Sequence, residues 1–101
     1  MAHEVVWLRA ALNDLDAIGE YIAASSPRYA SIVVSRLIAA SRDLSRFPLM
    51  GSPVPEWEAD EFRQRIVYNY RLIYRVKGSR VEILAVLHGA RQLPEEYKER
   101  A

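Results

Sequence analysis

The chain has no cysteine and only two histidines, His3 and His88, 85 positions apart. The first absence excludes a disulfide framework, a thiolate nucleophile and a cysteine zinc site; the second leaves no histidine pair at metal-ligand spacing. No metal and no cofactor are expected. There is no apolar run near the roughly 20 residues that span a bilayer, and no basic segment followed by an apolar stretch at the N-terminus. No membrane partner is expected, and a soluble cytoplasmic protein is. Internal repeats, linkers and low-complexity segments are also missing. With 50% hydrophobic and 27% charged residues in 101 positions, the composition is that of one globular domain spanning 1–101.

The net charge of +1 hides an uneven distribution. Residues 1–53 are neutral, whereas 54–61 carry Glu56, Glu58, Asp60 and Glu61 with no basic residue. Residues 62–91 carry Arg63, Arg65, Arg71, Arg75, Lys77, Arg80 and Arg91 against Glu82 alone, a net +6. Twelve of the fourteen basic residues are arginine, whose planar fork grips phosphate or carboxylate bidentately. Two readings stand at this point: a surface facing a polyanion, or a solvated sheet face with ordinary ion pairs.

His3–Leu8 is a short β-branched and aromatic run and predicts a first strand, with Trp7 in the core. From Ala11 the apolar residues Ala11, Leu15, Ile18 and Ile22 step by four, three and four, which predicts an amphipathic helix. Ser26 as N-cap and Pro27 at the first helical position restart the chain as a second helix. Its stripe, Val33, Leu37, Ala40, Leu44 and Phe47, runs until Pro48. Residues 48–61, with three prolines, read as a surface loop. Phe62–Tyr68, Tyr70–Val76 and Val81–His88 then predict three strands in a meander, the last two joined by a turn over Lys77–Arg80. Pairing Val76 with Val81 sets Arg75 opposite Glu82, Ile73 opposite Leu84, Arg71 opposite Val86 and Asn69 opposite His88. Arg71 and His88 would then share a face. A short helix from Pro94 completes an α+β fold: N-terminal strand, antiparallel helical hairpin, three-stranded antiparallel meander, C-terminal helix. The hairpin is expected to cover one sheet face and leave the other free, with Ile73, Leu84 and Val86 making it a groove.

Four stretches together resemble the toxins of the RelE/ParE superfamily from type II toxin-antitoxin modules. They are DLDAIGEYIA at Asp14–Ala23, FPLMG at Phe47–Gly51, NYRLIYRV at Asn69–Val76 and VEILAVLHGARQLP at Val81–Pro94. The resemblance covers nearly the whole chain and implies a growth-inhibiting toxin that stabilises a plasmid or chromosome. It also implies a cognate antitoxin as partner. RelE-like members cut mRNA in the ribosomal A site without a metal, by attack of the ribose 2′-hydroxyl; ParE-like members inhibit DNA gyrase. Fold alone does not choose between them.

A ribonuclease needs a base, an acid and cations for the phosphorane. Arg63 and Arg65 alternate where RelE-like toxins carry a basic-x-basic pair, and Arg71 falls on the family's phosphate-binding arginine. With Arg91 three residues beyond His88, these are the phosphate-binding candidates, and His88 with Arg71 the catalytic ones. The RelE-like pair often includes a lysine that serves as base, a route closed to arginine. The bases left are His88 and the acidic-loop carboxylates. An inhibitor of gyrase needs no proton shuttle, and the FPLMGSPVPE loop and HGAR ending resemble ParE-like members equally well. For that reading Trp57 and Tyr97 are the target-contact candidates, with packing of the Trp57 ring onto the domain and of Tyr97 as an amphipathic side chain as the alternatives. The resemblance therefore leans to the gyrase-directed toxin, with the mRNA endonuclease as alternative and a module that has lost toxicity as a third reading.

Overall fold

The computed structural model describes residues 2–101. Strand β1 (Glu4–Trp7) leads into α1 (Arg9–Ala23) and α2 (Pro27–Asp43). A two-residue strand β2 (Ser52–Pro53) precedes β3 (Phe62–Val67), β4 (Tyr70–Lys77) and β5 (Arg80–His88), and a 3₁₀ helix (Glu95–Arg100) comes last. This is the expected element order, with β2 added inside the supposed loop. Ser26 caps α2 as its side chain accepts a hydrogen bond from the Tyr29 amide at 3.1 Å, with Pro27 in the first turn.

The second helix stops earlier than its apolar stripe. The amides of Leu44, Ser45 and Arg46 reach back three residues to the carbonyls of Ser41, Arg42 and Asp43, tightening the last turn and rotating the residues beyond it. Leu44 stays buried, but Phe47, expected as the last core position, turns out to solvent. Its apparent place on the stripe assumed a helical period that the chain had already left.

The sheet order is β1-β5-β4-β3-β2, with β1 parallel to β5 and the other pairs antiparallel. The β4–β5 turn is shorter than expected, since Lys77 and Arg80 pair and leave Gly78 at φ +60° and Ser79, whereas the β3–β4 turn is longer by one residue, with Val67 paired to Tyr70 around Tyr68 at φ +53° and Asn69. Near the second turn the β4–β5 register follows the expected pairing, Val76 with Val81 and Arg75 with Glu82. A bulge then intervenes, for Tyr74 pairs with Ile83 but Ile73 with Ala85. Beyond it Leu72 faces Val86, Arg71 faces Leu87 and Tyr70 faces His88, correcting the expected pairs by one residue. Since side chains alternate between faces, this slip carries His88 to the opposite face from Arg71.

The helices cover one face and form a core with Leu15, Val33, Leu37 and Leu44 against Leu72, Tyr74, Ile83 and Val86. Trp7 packs beside it and donates from Nε1 to Ser41 Oγ at 3.0 Å. The face expected to be free is covered as well. Residues 54–62 fold back over it, and Val54, Trp57 and Phe62 join Ile73, Leu84, Ala85, Leu87 and Leu93 in a second core. Val86, expected on this face, belongs to the first core because of the bulge.

Candidate functional site

The three strand arginines expected to converge on one phosphate are divided between the faces. Arg63 and Arg65 alternate with Gln64, so both lie on the helix side of β3, paired opposite Tyr74 and Leu72. Arg63 donates to the carbonyl of Gly51 at 2.7 Å and of Leu49 at 3.4 Å. Arg65 donates to the Ala40 carbonyl at 2.8 Å and to Asp43 at 2.9 Å, and so binds the C-terminal turn of α2, where a cation is favoured. Both are engaged in holding backbone.

Arg71 sits on the other face, 5% exposed. Its guanidinium grips Glu56 bidentately at 2.7 and 2.8 Å, and its Nε and Nη2 donate to Gln64 Oε1 at 2.9 and 2.7 Å. The Leu93 amide donates to Glu56 at 3.0 Å, so one carboxylate ties the acidic loop, β4 and the C-terminal segment together. The hydrogen bond from Arg71 outweighs desolvation and holds the Glu56 carboxyl at a pKa of about 2. Glu61 lies 3.7 Å from Arg75, which also binds Glu82 at 2.7 Å, and Arg80 bonds Glu82 as well. Two of the four acidic-loop carboxylates thus pair with strand arginines, and of the two readings of the charge pattern ordinary ion pairing accounts for Arg65, Arg71, Arg75 and Arg80.

His88 is exposed at the end of β5, with its ring edge-on to Tyr70 at 5.8 Å between centroids. Its Nδ1 accepts from the Ala90 amide at 3.2 Å. Arg91 and Tyr97 stand beside it and, with Asp14, Ile18, Tyr21 and Tyr70, line a cleft of about 380 Å³ between α1 and the C-terminal segment. Asp14 is held there by Arg100 at 2.7 Å, and Arg100 also lies 3.7 Å over the Tyr97 ring. The cleft brings together three sequence candidates, His88, Arg91 and Tyr97, but excludes Arg63, Arg65 and Arg71. It offers donors and aromatic faces without the phosphate clamp. Among the described residues no group of three or more His, Asp or Glu side chains is placed to hold a metal ion.

Trp57, taken as an exposed contact anchor, is 3% exposed and packs edge-to-face on Phe62 at 5.0 Å. The expected surface role is corrected: an apolar ring beside a strand face that lacks a helix cover is drawn onto it. The large exposed apolar side chains of the connector are instead Phe47, Leu49 and Met50. Sequence reading missed them because Phe47 continued a helical stripe and the other two lay in a proline-rich loop. Three large apolar residues within four positions of a predicted surface loop was the available signal.

The order of strand, helical hairpin, antiparallel sheet and short C-terminal helix makes the fold that of the RelE/ParE toxins. Solved structures agree. The chain superimposes on a chain of the chromosomal ParDE toxin-antitoxin system from P. aeruginosa with a TM-score of 0.71 at 26% identity, covering 86% of this chain and 96% of that one. It superimposes on a chain of the RelBE2 toxin-antitoxin complex from Mycobacterium tuberculosis with a TM-score of 0.61 at 31% identity, covering 87% and 99%. Protein Y4kP of Sinorhizobium fredii is 34% identical over 91 residues, which span 88% of this chain and 91% of that one. The profile described as ParE toxin of type II toxin-antitoxin system, parDE, matches residues 5–93, and the chain belongs to that family.

Proposed function

We propose that this protein is a growth-arresting toxin, neutralised by a cognate antitoxin and acting on DNA gyrase by surface contact rather than by cutting RNA. The observation that carries this reading is the separation of Arg71 from His88. One is sealed in a carboxylate fork on one sheet face; the other stands exposed on the opposite face. Metal-free cleavage by a 2′-hydroxyl requires proton transfer and phosphate stabilisation at one point, and these groups do not meet. Antitoxin pairing is supported by family membership and by the ParDE and RelBE2 neighbours, both solved as toxin-antitoxin systems.

The RelE-like reading keeps one observation in its favour. The cleft gathers His88, Arg91, Tyr70 and Tyr97, a titratable ring and a cation beside aromatic faces that suit a base. On either reading the site of action is the cytoplasm. Expression without antitoxin is expected to stop growth, and unaffected growth would point to a module that has kept the fold and lost toxicity. Two assays on purified protein separate the mechanisms: gyrase supercoiling, expected to be inhibited, and primer extension on mRNA in a purified translation system, expected to give no new 5′ ends. Cleavage inside ribosome-occupied codons with gyrase unaffected would overturn the proposal and make His88 and Arg91 the residues to mutate.

A further inference from the structure

The segment Phe47–Met50 combines a rigid backbone with side chains that the fold does not use. Phe47 is 61% exposed, Leu49 63% and Met50 48%. Its backbone is fixed from below by groups of the core. The phenol of Tyr74, itself fully buried, donates to the Pro48 carbonyl at 2.8 Å and accepts from the Gly51 amide at 3.0 Å. Arg63 donates to the Gly51 and Leu49 carbonyls. Gly51 admits no side chain, since a Cβ there would stand 2.4 Å from the Gln64 carbonyl oxygen and 2.6 Å from the Tyr74 hydroxyl. Three large apolar side chains are therefore displayed in solvent at a fixed position. Such display exposes apolar area with no return in the free chain, and little ordering is needed when a partner covers it.

Two exposed basic residues adjoin this knob along the chain. Arg46 directly precedes Phe47 and Arg42 lies one helical turn back; both are exposed, and neither makes an ion pair among the described residues. The nearby carboxylate of Asp43 is taken by Arg65. A partner that fits is an apolar segment flanked by carboxylates.

We infer that the Phe47–Met50 knob, with Arg42 and Arg46, is a docking point for an acidic amphipathic segment of the cognate antitoxin. The antitoxin rather than the target is assigned because a permanently displayed apolar surface calls for a resident partner, whereas the target is met only after the antitoxin has gone. The inference rests on the reading of the protein as an antitoxin-neutralised toxin.

Met50 supplies the test. The toxin-antitoxin complex, obtained by co-expression from the native module, and the free toxin are exposed to hydrogen peroxide, and sulfoxide formation is followed by mass on the Met50-containing peptide. Oxidation is expected to be at least about tenfold slower in the complex, because burial removes oxidant access. In parallel, the double variant Phe47→Ser, Leu49→Ser is expected to lose about tenfold or more in antitoxin affinity with an unchanged circular dichroism spectrum. Arg42→Glu with Arg46→Glu is expected to weaken binding and flatten its salt dependence. A complex in which Met50 oxidises at the free rate overturns this inference alone; failure to form any complex overturns the functional reading as well. Protection that appears in the free toxin as its concentration rises would make a second copy the occupant and overturn the assignment. Unchanged affinity in the serine variant, correctly folded, would do so too.

Discussion

Two halves of one connector, between α2 and β3, treat their side chains in opposite ways. Residues 47–50 have their backbone held by buried groups and turn Phe47, Leu49 and Met50 outward. Residues 54–61 turn Val54 and Trp57 inward, beside Phe62 at the start of β3, and send Glu56 in with them, onto Arg71. Apolar content alone does not separate the halves. In the first, carbonyls are the groups satisfied by the core, so the side chains are left over; in the second, side chains are satisfied and the segment becomes part of the fold. The first half is available for recognition and the second is committed to stability.

Mutations should respect that division. Glu56→Ala leaves Arg71 buried without its counter-charge and is expected to destabilise the protein by about 3 to 5 kcal/mol, measured by urea unfolding. A loss below about 1 kcal/mol would show the acidic half to be as dispensable as the apolar one. Acid should produce part of the same effect. The Glu56 carboxyl has its pKa depressed in the folded state, to about 2, so its contribution is fully present above the unfolded value near 4.5. That contribution is lost as pH falls from about 4.5 toward 2, on the order of 2 to 3 kcal/mol, and Glu56→Gln should lack this portion of the pH dependence. Tyr74→Phe removes the hydroxyl beneath the knob and should cost about 1 to 3 kcal/mol, with faster hydrogen exchange at the Gly51 amide. Unchanged exchange would mean that Arg63 alone holds the segment. At the small end, Phe47→Ser is expected to change stability by no more than about 0.5 kcal/mol, since its ring touches little of the core. A larger loss would place Phe47 in the fold after all.

The elements were legible because their signals are local. Steps of three and four from Ala11 and Val33, Ser26 before Pro27, and β-branched runs from Phe62 onward each answer to short-range geometry. The candidate site was less legible because it depends on parity. One bulge between Ile73 and Tyr74 moves every later pair by one residue, and with it the relation of His88 to Arg71; periodicity carries no mark of that extra residue. Trp57 was misplaced for a different reason, since loop composition says where the chain runs and not which way an indole turns. The pairing of Glu56 with Arg71 did leave a trace. Four acidic residues lie directly before a net +6 segment, an adjacency compatible with internal ion pairs, although the sequence reading left a polyanion-facing surface equally open.

Tyr74 has a consequence for genetics. Its ring lies among core residues, while its hydroxyl supports the Phe47–Met50 segment on the surface. Selection for variants that escape neutralisation would therefore be expected to return changes at Tyr74 and Gly51 alongside changes at the displayed side chains, although neither touches a partner. A map drawn from such variants would outline a patch larger than the true contact and extending into the interior. Compensating changes would be found at Arg63, the other group that carries the same stretch of backbone.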